Sequence, residues 1–284
     1  MNDIATSPSL KLAVKGRNLD FSKPKIMGIL NITPDSFYDG GRYADINSAL
    51  QQLEQMVEAG ADIIDIGGES TRPGSEAISD QEEIDRVMPV LEKAMDQYPE
   101  MLFSVDTKKY NVAKAALESG THLINDISGL QNEPRLAGLC AEYDAGFILM
   151  HSQGDPKVMQ DNPVYDDVVN DLYLFFREKI NFANQEGLQN IIIDPGFCFG
   201  KTLQHNLRLL RNLDAYIDLG CPIMAAASRK SMIGQLLGDR PTDERLYGTL
   251  AVHYHALTKG ANILRVHDVQ ETKDCVRIFE AVED

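Results

Sequence analysis

"EAGADIIDIGG" (58–68) sets a helix end, a tight turn and a buried strand in one short phrase. Gly60 stands where a helix stops, because glycine closes a helix in the left-handed conformation without steric cost. The apolar run that follows is too short for a helix and is bounded by glycines, so it reads as a strand buried on both faces. The phrase returns as "ESGTHLINDIS" (118–128), "YDAGFILMH" (143–151), "QEGLQNIIIDPG" (185–196), "DLGCPIMAAAS" (218–228) and "TKGANILRVHD" (258–268). Its glycines are Gly60, Gly120, Gly146, Gly187, Gly220 and Gly260. Two more strands, "IMGILNI" (26–32) and "LFSVDT" (102–107), lack the leading glycine.

The intervals carry apolar faces at helical spacing. One shows Ile46, Leu50, Leu53, Met56 and Val57; another shows Leu203, Leu207, Leu210 and Ile217. The pattern therefore predicts strands at about 25–32, 62–67, 102–107, 122–127, 146–151, 190–194, 222–227 and 262–266, with a last helix over 270–281. Repeated βα alternation of this kind is the signature of an α/β protein built as a (β/α)8 TIM barrel. A doubly wound open sheet is the alternative on pattern alone. "LKLAVKGRNLDFS" (10–22) precedes the repeat and reads as a β-hairpin able to plug the barrel's bottom. The expected organisation is an N-terminal extension with hairpin at 1–24 and one barrel domain at 25–284.

Composition narrows the function. The chain has 284 residues, 43% of them apolar, and a formal charge of −16 with no basic run, which argues against nucleic acid as a partner. "MNDIATSPSL" (1–10) is no signal peptide, and no stretch reaches the ~20 apolar residues of a membrane helix. Cys140, Cys198, Cys221 and Cys275 lie far apart without a CxxC pair, as expected of reduced thiols in a cytoplasmic protein.

Barrel chemistry sits at the C-terminal strand ends. Here nearly every such end carries a polar group: Asn31, Asp65, Asp106, Asn125, His151, Asp194, Ser228 with Lys230, and Arg265 with His267. Wet strand ends explain two or three of these, not a whole series set into apolar runs. Carboxylates buried there must pair with one another or with a ligand. Asp106, Asn125 and Asp194 suit a flat ligand with an amidine-like N–H edge. Arg72, Lys230, Arg265 and His267 suit phosphate oxygens. A heterocycle carrying phosphate satisfies both. "PGFCFGKT" (195–202) falls one residue short of a phosphate-binding P-loop, and His253 and His255, two apart on a helix, read as structural rather than metal-ligating.

Eight motifs then resemble, in order, those of the dihydropteroate synthases, a pterin-binding family: "MGILNITPDSF" (27–37), "DIGGESTRPG" (65–74), "SVDTKK" (104–109), "NDISG" (125–129), "LMHSQGDP" (149–156), "DPGFCFGKT" (194–202), "SRKSMIG" (228–234) and "RVHDV" (265–269). The resemblance implies that 6-hydroxymethyl-7,8-dihydropterin diphosphate and 4-aminobenzoate condense to 7,8-dihydropteroate and pyrophosphate. By resemblance Asp106, Asn125, Asp194 and Lys230 bind the pterin, and Arg265 covers one of its faces. Asn31, Arg265 and His267 would hold the diphosphate, with Asn31 also on Mg2+. Thr71, Arg72, Pro73 and Ser228 would line the aminobenzoate site, with Phe37 and Pro73 as apolar walls and Phe199 and the chain before Ser228 at its edge. Asp35 and Asp39, in the loop after the first strand, would act near the metal or a cation. That loop and "GGESTRPGSE" (67–76) look like two lids, hinged at Gly40, Gly41, Gly67, Gly68 and Gly74. The resemblance further implies inhibition by sulfonamides and a homodimer.

Two rivals share the pterin-binding barrel. A methyltetrahydrofolate–corrinoid methyltransferase needs no diphosphate site, and a non-catalytic paralogue would be expected to lose Asn31, Arg72, Arg265 or His267, all present here. The chain departs from the family pattern at Ala226 and Cys198, where glycine is usual, and at Ser152, where methionine is frequent.

Overall fold

Side-chain parity along the strands explains both the barrel and its site. The computed structural model describes residues 10–32, 42–70, 77–154 and 163–283, the side chains of 42–45 excepted. The expectations for Asp35, Phe37, Asp39, Thr71, Arg72 and Pro73, and for the hinges Gly40, Gly41 and Gly74, lie outside the described residues. A hairpin of β1 (Lys11–Val14) and β2 (Arg17–Asp20) comes first. The barrel strands are β3 (Lys25–Asn31), β4 (Ile63–Gly67), β5 (Leu102–Asp106), β6 (Leu123–Asp126), β7 (Gly146–Met150), β8 (Ile191–Asp194), β9 (Met224–Ala225) and β10 (Ile263–Val266). Between and after them run α1 (Arg42–Glu58), α2 (Asp80–Gln97), α3 (Tyr110–Glu118), α4 (Leu136–Glu142), α5 (Val168–Gln185), α6 (Leu203–Arg211), α7 (Ser231–Leu236), α8 (Leu246–Thr258) and α9 (Val269–Glu283). No helix among the described residues is long and apolar enough to cross a membrane.

The eight strands pair in parallel in the order β8-β7-β6-β5-β4-β3-β10-β9, and a bridge between Ile193 and Ile223 joins the two ends into a (β/α)8 barrel. β9 is much shorter than its predicted span of 222–227: Pro222 has no N–H to give to a ladder at one end, and Ala227 O enters a turn with Lys230 N at the other. Successive strand residues point to opposite faces, so parity divides each strand in two. Ile26, Ile64, Phe103, Ile124, Phe147, Ile193 and Leu264 join Leu53, Val87, Val112, Phe176 and Leu209 of the helices in one cluster. The other parity contributes Met27, Ile63, Leu102, Leu123, Ile148, Ile192, Met224 and Ile263, one from each strand, to an inner layer. Leu12, Val14, Leu19 and Phe21 of the hairpin pack on that layer, so the hairpin plugs the bottom as expected. Its turn places Lys15 and Gly16 at positive φ (46° and 76°), the geometry that matches strand twist in a two-residue hairpin loop.

Five of the six repeat glycines have positive φ; Gly146 does not. After α4 it is Asp144 that turns left-handed, at φ 52°. Gly146 is needed for a different reason, since a Cβ there would lie 3.0 Å from Val14 of the plug. Ile217 also departs from expectation. α6 stops at Arg211, and Ile217 lies in a separate 3-10 segment, Leu213–Leu219, where its Cδ1 abuts Gly260.

The plug makes a stability prediction. Leu19→Ala should cost about 2–5 kcal/mol in urea unfolding, the usual range for a leucine lost from a packed core. The exposed Lys11→Met is the control; equal unfolding midpoints for the two variants would show that the hairpin does not seal the barrel.

Candidate active site

Continuing the inward parity upward from the apolar layer gives Asp65 on β4, Ser104 and Asp106 on β5, Asn125 on β6, Asp194 on β8 and Arg265 on β10, aligned through the ladder pairs Asp65–Ser104, Asp106–Asn125 and Arg265–Met27. The change from apolar to charged within one face turns a packed barrel floor into a binding site. Arg265 is its centre. Its Nε donates to Asp65 Oδ2 at 2.7 Å, and its Nη2 reaches Asp65 Oδ2 at 2.6 Å and Asp106 Oδ2 at 2.8 Å. Asn125 Nδ2 donates to the same Asp65 oxygen at 2.9 Å. Asp65 is fully buried, and its Oδ1 and Asn125 Oδ1 have no hydrogen-bond partner among the described residues. Acceptors left bare in this way call for N–H groups from a ligand.

Asp65 is the residue whose importance sequence reading undervalued. It stood among the strand-end polar groups without a role, although its place inside the apolar "ADIIDIGG" marked it as needing a partner. His151 departs in the other direction. Its Nδ1 lies 3.0 Å from Lys201 Nζ, away from the Arg265 cluster, and burial lowers its pKa to about 2, with Lys201 adding to the fall. It is a neutral supporting group. His253 is fully buried on α8, and no group of three potential ligands for a metal exists among the described residues.

The far wall comes from the last strands. Asp194 Oδ1 accepts from Gly196 N at 2.8 Å. Lys230 precedes α7, donates to Phe197 O at 2.8 Å and lies 4.6 Å from the centre of the Phe199 ring. Burial lowers the Lys230 pKa while Asp194 supports its charge; burial raises Asp194 while Lys230 opposes the rise. Ser228 Oγ accepts from His267 N at 3.2 Å and lies 3.0 Å from His267 Nδ1. Arg229, held at φ 55°, forks onto Asp268 at 2.6 and 2.8 Å. Thus "SRK" and "RVHD" are tied at two pairs, Ser228 with His267 and Arg229 with Asp268, while Lys230 and Arg265 interact through their charges.

Asn31 ends β3 beside this group. Gly67 keeps the space next to it open, since a Cβ there would lie 3.5 Å from Asn31 Oδ1 and 3.6 Å from Asp106 Cβ. A single amide oxygen suits a Mg2+ ion whose remaining ligands are phosphate oxygens and water. Gly68 is also closely packed, since a Cβ would approach Val87 Cγ2 to 2.8 Å. Cys198 has φ 69°, which explains why glycine is usual there, and Ala226 is buried.

Burial pushes Asp106 up to about 7 in the ligand-free protein, against the pull of Arg265. A carboxyl raised by folding binds more protons in the folded state, so its contribution to stability is greatest below its unfolded value near 4 and falls as pH rises toward about 7. Asp106→Asn should remove this slope. Unfolding free energies from pH 4 to 8 that run parallel for the two proteins would contradict it.

The matching family model is that of the pterin binding enzymes, and it spans residues 27–267. The Escherichia coli dihydropteroate synthase is 47% identical over 96% of this chain and 96% of its own length. The Yersinia pestis dihydropteroate synthase, solved as a sulfonamide drug complex, is 45% identical with a TM-score of 0.90, covering 96% of this chain and 99% of that one. The Xanthomonas albilineans dihydropteroate synthase, solved with 4-aminobenzoic acid, is 41% identical with a TM-score of 0.90, covering 97% and 98%. With its acid–amide–arginine cluster at the mouth of the barrel, the chain belongs to the pterin binding enzymes, among the dihydropteroate synthases.

Proposed function

We propose that the chain condenses 6-hydroxymethyl-7,8-dihydropterin diphosphate with 4-aminobenzoate, giving 7,8-dihydropteroate and pyrophosphate in folate biosynthesis. The observation that carries this reading is the pair of bare acceptors, Asp65 Oδ1 and Asn125 Oδ1, beside the Arg265 guanidinium. Asp106, Asn125 and Asp194 receive the N–H edge of the pterin, Lys230 donates to it, and the Arg265 plane covers one ring face. Asn31, Arg265 and His267 hold the diphosphate. With the Ser228 hydroxyl donating a hydrogen bond to His267 Nδ1, the ring proton sits on Nε2 as a donor to phosphate. Ser228 and Phe199 border the aminobenzoate, with Thr71, Arg72, Pro73 and Phe37 completing that side. Sulfonamides would compete there, as the Yersinia pestis complex suggests.

An aromatic amine is a weak nucleophile and needs no strong base, so the carbon–oxygen bond to diphosphate breaks first or nearly so. The ring delocalises the cation that results, and the buried carboxylates of Asp65, Asp106 and Asp194 stabilise it. Arg265 and His267 take up the charge of the departing diphosphate. Asn31 Oδ1 would hold a Mg2+ ion, with Asp35 and Asp39 proposed to act toward it, and the ion would supply further neutralisation of those oxygens. Each group meets charge that appears in the transition state, which is where binding accelerates reaction.

Two coarser features complete the reading. Leu236, Tyr247, Ile278 and Val282 are exposed apolar side chains on α7, α8 and α9, and their burial between two copies would form a homodimer. All four cysteines remain thiols, which supports a reducing compartment, the cytoplasm.

The test is pyrophosphate release with the pterin diphosphate and Mg2+, with and without 4-aminobenzoate. Release should depend on the amine and yield dihydropteroate, and Asn31→Ala should lower kcat by about 10²-fold or more, the usual cost of losing a charge-stabilising group. Tight pterin binding without turnover would favour the non-catalytic paralogue. Order is also testable by calorimetry. 4-Aminobenzoate should bind measurably only with pyrophosphate or the pterin diphosphate present, and equal affinity without them would refute diphosphate-first binding.

A further inference from the structure

Lys201 carries none of the roles above, yet it is 2% exposed and its ammonium is enclosed by the protein. Nζ lies 3.0 Å from His151 Nδ1, 3.2 Å from His151 O, 3.0 Å from Gly196 O and 3.0 Å from Phe199 O. Burial lowers the Lys201 pKa to about 7 while Asp194 opposes the fall, and three carbonyl oxygens at 3.0 to 3.2 Å favour the charged form. In that form the ammonium only donates, so His151 Nδ1 accepts and its ring proton sits on Nε2. The acceptors come from two loops, one leaving β7 and one leaving β8. Glycines bring those loops into contact: a Cβ on Gly196 would lie 2.0 Å from His151 O, and one on Gly200 would lie 2.3 Å from Gln153 O. Positive φ at Gly196, Cys198 and Gly200 coils the second loop so that the carbonyls of Gly196 and Phe199 both turn to the Lys201 nitrogen. The resemblance of "PGFCFGKT" to a P-loop thus has a physical origin. Its glycines serve loop contact, and its lysine binds carbonyls rather than phosphate.

The same coil shapes the site. Phe199, whose carbonyl Lys201 holds, places its ring against Lys230, and Lys230 in turn holds Phe197 O. Two lysines therefore grip one loop, Lys201 at Gly196 and Phe199 and Lys230 at Phe197 between them. We propose that Lys201 is a positioning residue for the 4-aminobenzoate half of the reaction, clamping the loops that leave β7 and β8 so that the Phe199 ring keeps the place the second substrate requires. This inference rests on the reading that the Phe199–Ser228 side receives 4-aminobenzoate. Of the pterin contacts, Asp194 stands in β8 and Lys230 just before α7, outside the clamped loops, and only the Gly196 N bond to Asp194 links them to the clamp, so the pterin half should move less.

The experiment compares Lys201→Gln and Lys201→Ala with the wild type in steady-state turnover. The amide of Lys201→Gln still donates hydrogen bonds, which protects the fold. It should raise the KM for 4-aminobenzoate by about 10-fold or more while the KM for the pterin diphosphate moves by less than about 3-fold. Lys201→Ala should regain turnover with added methylammonium or ethylammonium, but not with tetramethylammonium at equal ionic strength. A lowered melting temperature with both KM values unchanged would assign Lys201 to stability and overturn the proposal, as would equal rises in both KM values. Failure of both variants to fold would overturn it in the same way. A wild type that releases no pyrophosphate with 4-aminobenzoate would sink the functional reading itself, and that outcome is distinct from all of these.

Discussion

The ion pair of Arg265 with Asp65 and Asp106 is the constraint on which the upper barrel depends. A guanidinium and two carboxylates are taken out of water across strands β10, β4 and β5, and desolvation alone would cost several kcal/mol per ion. The fork geometry returns part of that through charge-assisted bonds at 2.6 to 2.8 Å. It leaves Asp65 Oδ1 and Asn125 Oδ1 unanswered. Replacing the cluster by apolar residues would fill the barrel as its lower layer does, and removing one partner would cost about 3–5 kcal/mol. A barrel that keeps such a cluster gives up stability for recognition. The bare acceptors are where a ligand's N–H groups recover it.

That constraint works only because the rest of the barrel is apolar and sealed. The inner layer supplies one hydrophobic side chain per strand, and the hairpin caps it from below. With the floor closed, the low local dielectric strengthens every charge pair above it. The same cross-strand logic extends to the loops. Ser228 with His267 and Arg229 with Asp268 make the ends of β9 and β10 one body, and Arg229 accepts a left-handed backbone to do so. Lys201 does the same for the ends of β7 and β8. Rigidity at the rim comes from paired loops, each pair fixed by one charged side chain.

The barrel was legible because its rules are local. A glycine at a helix end and an apolar run within three residues need no tertiary knowledge, and parity places Asp106, Asn125 and Asp194 on one face. What sequence could not supply was partner choice. Asp65 and His151 look alike as polar residues at strand ends, yet one anchors Arg265 and the other turns to Lys201. Gly146 was read as a helix stop because glycine's two uses, positive φ and close approach, leave the same letter. Ile217 fits a helical face by spacing, but the helix had already ended at Arg211. Motif order, which identified the pterin-binding family, succeeded where single residues did not, because several loops must meet at one barrel mouth.

A net charge of −16 would seem ill matched to a substrate bearing diphosphate. The conflict disappears on the scale of the site. Surface carboxylates act through water, and at physiological salt their field is screened within about 8 Å. Lys230 and Arg265 sit at the rim and within the barrel, where screening is weak and each has a carboxylate near enough to keep it charged. Asp194 supports Lys230, and Asp65 with Asp106 supports Arg265. The acidic groups below the cations are therefore not opposed to anion binding. They maintain the positive charge that binds the anion, and they face the side of the ligand on which positive charge would develop as the anion leaves. One cluster of mixed sign can in this way hold both ends of a molecule that separates into a cation and an anion.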